Sequence, residues 1–346
     1  MITVKEIAKM CDVSPSTVSN ILNGRSNMTE ETRQKVLKVV KETGYKPNYY
    51  AQGMRRTNNK TICIIAEELC QFSTPEIVNA IMEDAESKGY RTFIINMSMY
   101  DKWEKSGHFL GDEKLLSENT DPAFSEAQAI RADGIIYIAA HGRILDCVPE
   151  NLDIPVVFAY GVAKDNKYKS VVIDDTNSTE KIVDYLVSKG NKRIGVIAGD
   201  VGNFHTVWRL TGYKEGLEKH HIEYDESIIE YGDWKRESGY QGAKKLIEKG
   251  VRTILALNDL MAAGVYDYVR EVGLVAGEDV SIFGFDDREI AEFLYPPLST
   301  SRIMLEDIGK KSSELIIREI ENESFRNKKH EPFRIECTLI ERQSIK

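Results

Sequence analysis

Along the first 45 residues, apolar positions recur at helical spacing and are bounded by capping residues. Val4, Ile7 and Ala8 fall at i, i+3 and i+4 behind a capping Thr3, which predicts a helix over about Val4 to Met10. Ser14 is a favoured N-cap and Pro15 stands at the first helical position, where its missing N–H is of no consequence; Asn23-Gly24 stops this second helix. A third begins at Thr29, with Glu30 and Glu31 at the positive end of its dipole, Val36, Leu37 and Val40 as its inner face and Gly44 as its stop. Three short helices with a tight turn between the first two match a helix-turn-helix domain, although the same pattern serves a three-helix bundle that binds protein.

From Lys60 onward the texture changes to buried runs of branched and aromatic residues separated by helical segments. Strands are expected at Ile62 to Ala66, Arg91 to Asn96, Gly134 to Ala139, Val156 to Ala159, Val171 to Ile173, Arg193 to Ala198, Ile254 to Asn258 and Val280 to Phe285. About 286 residues exceed what one sheet of this kind carries, so two α/β lobes are predicted. Ligands of open α/β sheets bind outside the carboxyl ends of the strands, and in a two-lobe protein those ends face a shared cleft. Met97 to Phe124 is polar, lacks a clear period and reads as a long connection over the lobe or the cleft mouth.

Charge separates the two parts. Residues 1 to 60 hold 11 Lys and Arg against 5 Asp and Glu, whereas the remainder holds 35 against 50, within a chain of net charge −9. A basic head on an acidic body repels phosphate everywhere except at the head, which orients encounter with a duplex. No G-x-x-x-x-G-K-[ST], H-E-x-x-H or G-x-S-x-G motif occurs, and Cys11, Cys63, Cys70, Cys147 and Cys337 lack C-x-x-C spacing. Neither a catalytic centre nor a metal or cofactor is therefore expected. Dispersed thiols, odd in number, without a signal peptide or a long apolar run, point to a reducing cytoplasm and no membrane.

The run from Val13 to Gly24 reads V-S-x-x-T-V-S-x-x-L-N-G, and Glu31-Thr32-Arg33 and Gly44-Tyr45-Lys46-Pro47-Asn48 follow it in order. In these segments and their spacing the chain resembles the LacI/GalR family of bacterial transcription factors. The resemblance implies a helix-turn-helix head over 1–47, a hinge helix and linker over 48–60, and an effector-binding core over 61–346. The head is all-α, and the core consists of two Rossmann-like α/β lobes resembling periplasmic sugar-binding proteins. By that analogy lobe one takes about 61–160 and 304–325, and lobe two about 161–303 and 326–346. If the second helix enters the major groove, Pro15, Ser16 and Asn20 face base edges while Thr17 and Ser19 bind phosphates. Thr3 and Asn23 complete the head's DNA contacts, and Asn48, Ala51, Met54 and Arg55 those of the hinge. The hinge resembles a helix that lies in the minor groove, with Met54 as its apolar wedge where the family usually has Leu. So short a helix, with Gly53 inside, is expected to order only when two copies meet on DNA; a flexible linker is the simpler reading. At Asn20 the family often has Arg, which suits guanine; the Asn amide suits adenine, or else holds only backbone or phosphate.

In the core, Trp208-Arg209-Leu210-Thr211-Gly212-Tyr213 fits the family's R-L-x-G-[FYW], whose arginine holds effector oxygens; an interlobe salt bridge is the alternative for Arg209. Asn258-Asp259 matches the family's N-D before a helix, with Asp259 either a ligand contact or a helix cap. Asp286 follows a strand and offers a carboxylate to hydroxyls, and Asp287 reads as a turn or surface residue. Trp234 offers a flat face to a sugar or base, or simply packs in the core. Where the family commonly has Asn-Pro-Phe-Phe after its first strand, this chain has Glu67-Glu68-Leu69-Cys70-Gln71-Phe72-Ser73-Thr74-Pro75-Glu76. Phe72 and Thr74 are the candidate contacts there, and Tyr160 and His141 are further candidates just past strands. The implied function is effector-controlled repression by a symmetric homodimer on a near-palindromic double-stranded operator, with a carbohydrate in the cleft. A nucleoside or purine co-repressor keeps the architecture and reverses the sign of ligand action; a sugar sensor working through a protein partner is the remaining reading. If Asn20 reads a base, Asn20→Ala relaxes preference at one base pair by about 1–3 kcal/mol. Titration against operators altered one position at a time checks this, and equal weakening on every duplex refutes it.

Overall fold

The computed structural model describes residues 2–22, 28–45, 59–106, 113–326 and 331–346, and the chain divides into two compact units, Met1–Asn59 and Lys60–Lys346. In the first, helices span Val4–Cys11, Pro15–Leu22 and Glu30–Thr43. Thr3 caps the first in a reciprocal box with Glu6, and Ser14 Oγ caps the second by accepting from the Thr17 N–H at 3.1 Å. Thr29 and Gly44, the latter at φ 63°, bound the third. Ile7, Ala8, Cys11, Val18, Ile21 and Val36 form the buried centre. Leu37 departs from expectation: it is exposed, and Val39 and Val40 extend the inner face from Val36. A helix turns about 100° per residue, so a stripe through one position continues at i+3 and i+4 and leaves i+1 on the flank. The expected stop at Asn23-Gly24 and the hinge over 48–56 lie outside the described residues.

In the second unit the strands are β1 (Thr61–Ala66), β2 (Arg91–Asn96), β3 (Gly134–Ile138), β4 (Ile144–Leu145), β5 (Val156–Ala159), β6 (Val162–Ala163), β7 (Lys169–Ile173), β8 (Ile194–Ala198), β9 (Ile229–Tyr231), β10 (Thr253–Ala256), β11 (Ser281–Phe283), β12 (Thr300–Arg302), β13 (Phe333–Ile335) and β14 (Thr338–Ile340). Six of them form a parallel sheet in the order β13-β7-β5-β3-β1-β2, and four a second parallel sheet in the order β11-β10-β8-β9. β12 and β14 pair antiparallel, and β4 and β6 form a short parallel pair. The helices Thr74–Ser87 and Leu305–Glu321 pair over the first sheet, Asp175–Ser188 pairs with Phe204–Lys219, and Arg236–Glu248 with Asp259–Glu271. Interior strands such as β1, β3 and β8 are buried along their whole length, as parallel strands covered on both faces must be. No helix among the described residues is long and apolar enough to cross a membrane.

Two expectations are corrected here. β7 and β13, placed by analogy in lobe two, belong to the first sheet, where β7 lies between β5 and β13 and both its faces are covered. The chain therefore first crosses to the second lobe after β7, at Asp174-Asp175. There the Asp174 N–H donates to Ile335 O at 2.8 Å and the Cys337 N–H to Ser178 Oγ at 3.2 Å, joining two crossings. Met97 to Phe124, expected as a structureless connection, contains the helix Met99–Ser106 and most of the helix Glu113–Ala129. Its apolar residues are few but large: Trp103 and Phe124 are buried against the outer face of the first sheet, and Pro122 interrupts the pattern of the second helix.

Lys169 shows how lobe one is fastened beneath the sheet. The residue is 2% exposed, and its Nζ donates to a Glu319 carboxylate oxygen on the helix Leu305–Glu321 and to Phe325 O at 2.9 Å. Glu319→Ala strands a buried ammonium and is expected to lower the unfolding free energy by about 3–5 kcal/mol in a urea titration. The double change Lys169→Met with Glu319→Leu, which removes both charges, should recover most of that loss.

Candidate functional site

On the helix Pro15–Leu22, Val18 and Ile21 point into the small core while Pro15, Ser16 and Asn20 are exposed. Ser16 and Asn20, four residues apart, share the outer face, and Thr17 and Ser19 are half-buried at its edges. Ser14 Oγ lies 2.7 Å from Ser16 Oγ and 2.9 Å from Thr17 Oγ1, so the first turn presents a linked set of hydroxyls. The Thr3 hydroxyl is engaged with Glu6 at 2.9 Å within its cap. Of the other candidates for DNA contact, Asn23, Asn48, Ala51, Met54 and Arg55 lie outside the described residues.

The second unit brings a set of polar side chains to the carboxyl ends of both sheets. On the lobe-two side, fully buried Asp175 opens the helix Asp175–Ser188. Its Oδ1 accepts from Arg209 Nε, and its Oδ2 lies 2.7 Å from His205 Nδ1, the two contacts being equal in length. Burial pushes the Asp175 carboxyl up, but His205 and Arg209 outweigh it and hold the group below its ordinary range. The motif glycine explains how these helices meet: a Cβ on Gly212 would fall 2.0 Å from Thr176 O. Its absence lets the helix Phe204–Lys219 close on the first turn of its neighbour. Arg209 is thus paired within its own lobe and forms no interlobe salt bridge with Asp175. Its Nη1 donates to Leu257 O and stands 3.9 Å from Asp286 Oδ1, and its guanidinium lies 3.5 Å from the Phe285 ring centroid and 5.8 Å from that of Trp234.

The remaining lobe-two candidates are held tightly. Asp286, at φ 109°, accepts from Arg288 Nε at 3.0 Å, and burial pushes its carboxyl up. Asn258, not Asp259, caps the helix Asp259–Glu271: its Oδ1 accepts from the Met261 N–H at 2.8 Å while its Nδ2 donates to Trp234 O at 2.9 Å. Both ends of that amide are used inside the protein. Asp259 instead accepts from Thr300 Oγ1 and from the Arg288 N–H, each at 2.7 Å, and burial together with neighbouring Asp286 raises its carboxyl well above the usual range. Asp287 corrects the expectation of a surface residue, since its side chain is 4% exposed and bound by Arg302 at 2.7 Å and Arg342 at 2.8 Å.

On the lobe-one side, buried Glu67 directly follows β1. Its Oε1 accepts from Tyr137 Oη at 2.6 Å and Arg143 Nη2 at 2.7 Å, and its Oε2 from the Ala140 N–H at 2.8 Å. His141 bonds through Nε2 to Tyr100 Oη at 3.1 Å, and burial, with Arg143 and His205 nearby, pushes its imidazole down to about 3, leaving it neutral. Three contacts between the lobes lie at this junction. A Cβ on Gly142 would fall 2.3 Å from His205 Nε2, the Tyr160 and His205 rings stand 5.2 Å apart, and the Arg288 guanidinium lies 3.8 Å from the Phe72 ring centroid. Five buried atoms around this junction find no hydrogen-bond partner within the protein: Ser73 Oγ, Thr74 Oγ1, Arg143 Nη1, His205 Nε2 and Trp234 Nε1.

The junction thus gathers Phe72, Thr74 and Tyr160 with Arg209, Trp234, Asn258 and Asp286. Sequence reasoning missed Glu67 as a structural anchor and missed Asp175, Arg143, His205 and Arg288 altogether. The available signal was an acidic residue within two positions of a buried strand, as at Glu67 and Asp175; their partners lie 76 and 34 residues away. Among the described residues no group of three or more His, Cys, Asp or Glu could hold a metal ion.

Comparison with known proteins bears on both units. The family model for bacterial regulatory proteins of the lacI family matches residues 3–48, and that for the periplasmic binding protein-like domain matches residues 183–345. The repressor PurR of Escherichia coli is 28% identical over 352 aligned positions covering 100% of this chain and 97% of the relative, and PurR of Vibrio atlanticus is 25% identical with 100% and 99% covered. Among solved structures, a complex of the transcriptional regulator CelR with cellobiose is 25% identical, with 99% of this chain and 100% of that one covered at a TM-score of 0.65. The Lac repressor dimer bound to operator and the anti-inducer ONPF shares the fold at a TM-score of 0.79, with 24% identity and 99% and 98% covered. These relatives are transcriptional regulators, not enzymes. The chain thus carries a lacI-family helix-turn-helix domain ahead of a periplasmic-binding-protein-like domain, the domain pair of the LacI/GalR bacterial transcriptional regulators to which it is similar.

Proposed function

We propose that this protein is a cytoplasmic, non-enzymatic repressor whose homodimer binds a near-palindromic DNA operator and releases or grips it according to a hydroxyl-rich small molecule held between the core lobes. The observation that carries the effector half is the set of buried partnerless groups at the junction. A buried polar atom left without a hydrogen bond costs about 1–3 kcal/mol, so five such atoms in one region favour a ligand that completes them. Hydroxyls of a carbohydrate both donate and accept, which suits a mixture of two alcohols, an imidazole, an indole N–H and a guanidinium N–H. The cellobiose complex of the CelR relative supports the same class. In the DNA half, Pro15, Ser16 and Asn20 face base edges, Thr17, Ser19 and Thr3 serve phosphates, and the hinge around Met54 enters the minor groove. Arg209, Asp286, Thr74, Tyr160, Phe72 and Trp234 line the effector site.

Two outcomes test this reading. A mobility shift on a palindromic duplex should show binding that a carbohydrate changes, and linkage requires operator to alter that compound's affinity by the same factor. Absence of any shift sinks the repressor reading, and a response to purines alone replaces the carbohydrate. Asp175→Asn should release Arg209, abolish the effector response and destabilise the core by about 3–5 kcal/mol at neutral pH. Because the folded-state Asp175 carboxyl is held down, the stability it contributes is present above its ordinary value near 3.8 and is lost as pH falls through the lowered one. The gap between wild type and Asp175→Asn in denaturant titrations should accordingly close in acid.

A further inference from the structure

We infer that the effector is an uncharged molecule and that the cleft discriminates against phosphorylated, carboxylated and amino forms of the same compound. The inference rests on the effector reading above and extends it to charge. Three guanidinium groups stand at the junction, and each has its own carboxylate: Arg143 with Glu67 at 2.7 Å, Arg209 with Asp175 at 2.7 Å, and Arg288 with Asp286 at 3.0 Å. In all three pairs the acid side chain is at most 5% exposed. Glu68 brings one more buried carboxylate, accepting from the Cys70 N–H at 3.3 Å and the Tyr100 N–H at 3.2 Å. None of these three guanidiniums is therefore left over to neutralise an incoming anion.

A phosphate entering such a site gives up its water and meets cations already neutralised, with four carboxylates nearby. Desolvation of a charge without a fresh countercharge is the most expensive event available in a protein interior. An ammonium is disfavoured because no carboxylate here is without a donor: both oxygens of Glu67, Glu68 and Asp175 already accept from protein groups, and Asp286 stands between Arg288 at 3.0 Å and Arg209 at 3.9 Å. What the junction still offers is neutral or fork-shaped hydrogen bonding at Ser73, Thr74, Trp234, His205 and the second nitrogen of Arg143. Uncharged hydroxyls satisfy those groups with no ion to desolvate.

The test is a thermal-shift and calorimetric comparison on the full-length protein with matched sets. Each neutral compound (glucose, galactose, ribose, cellobiose, ribitol) is run beside its phosphate ester, its acid and its amino derivative, and inorganic phosphate is run alone. At least one neutral member should stabilise the protein, and bind at least about 100-fold more tightly than its charged counterparts, while inorganic phosphate neither stabilises nor competes. Glu67→Gln removes the countercharge from Arg143 and should narrow the preference over the phosphate ester by about tenfold or more. Asp286→Asn, which frees Arg288, provides the same readout should Glu67→Gln fail to fold. A charged derivative binding within about threefold of its neutral parent, competition by inorganic phosphate, or a preference unchanged in a folded variant overturns the inference and leaves the effector reading standing. A protein stabilised by no compound of any charge removes the effector reading itself, and this inference with it.

Discussion

A single buried carboxylate organises the core. Asp175 has no access to water, which no ionised group tolerates unless its lone pairs are taken up by donors, and Arg209 and His205 supply those donors from one helix. Satisfying Asp175 fixes the angle between the helices Asp175–Ser188 and Phe204–Lys219, which the bare backbone of Gly212 permits. It also fixes where the rest of the junction stands. The guanidinium spreads beneath Phe285 toward Asp286, and the imidazole reaches across to Gly142 and Tyr160. Because Asp175 lies two residues past β7, this grip sits at the point where the chain first passes from one lobe to the other.

Much of the fold was legible in order of increasing range. Caps and stops act within four residues, so Thr3, Ser14, Pro15, Thr29 and Gly44 announce the three head helices almost to the residue. Long buried strands are equally plain, since six consecutive apolar or small residues leave little else to form. The three-residue strands β9, β12, β13 and β14 carry too few positions for a pattern to declare itself. Sheet membership is a matter of which neighbour a strand finds, and β7 and β13 find each other across 162 positions, Val171 beside Phe333. The buried Lys169 illustrates the general difficulty: a lysine at a strand's start reads as an edge until its partner Glu319 is in place.

The candidate site was legible in a similarly uneven way. Arg209, Trp234 and Asp286 stand at strand ends or in a recognisable motif, and they do come together. Asn258 occupies the same neighbourhood, yet its amide is consumed by a cap and a carbonyl. Glu67 and Arg143 escape notice because their meaning is mutual. Either alone is an ordinary surface residue type, and only the return of β3 beside β1 turns them into a buried pair.

Gly142 has a consequence that reaches beyond packing. With a Cβ there lying 2.3 Å from His205 Nε2, the two lobes meet backbone against ring, with no side chain between. The position works as a stop of zero thickness. It sets how near the lobes stand at this point, as a gauge block sets the jaws of a caliper. Every heavier residue at that point is a thicker shim, and it would hold the two lobes further apart.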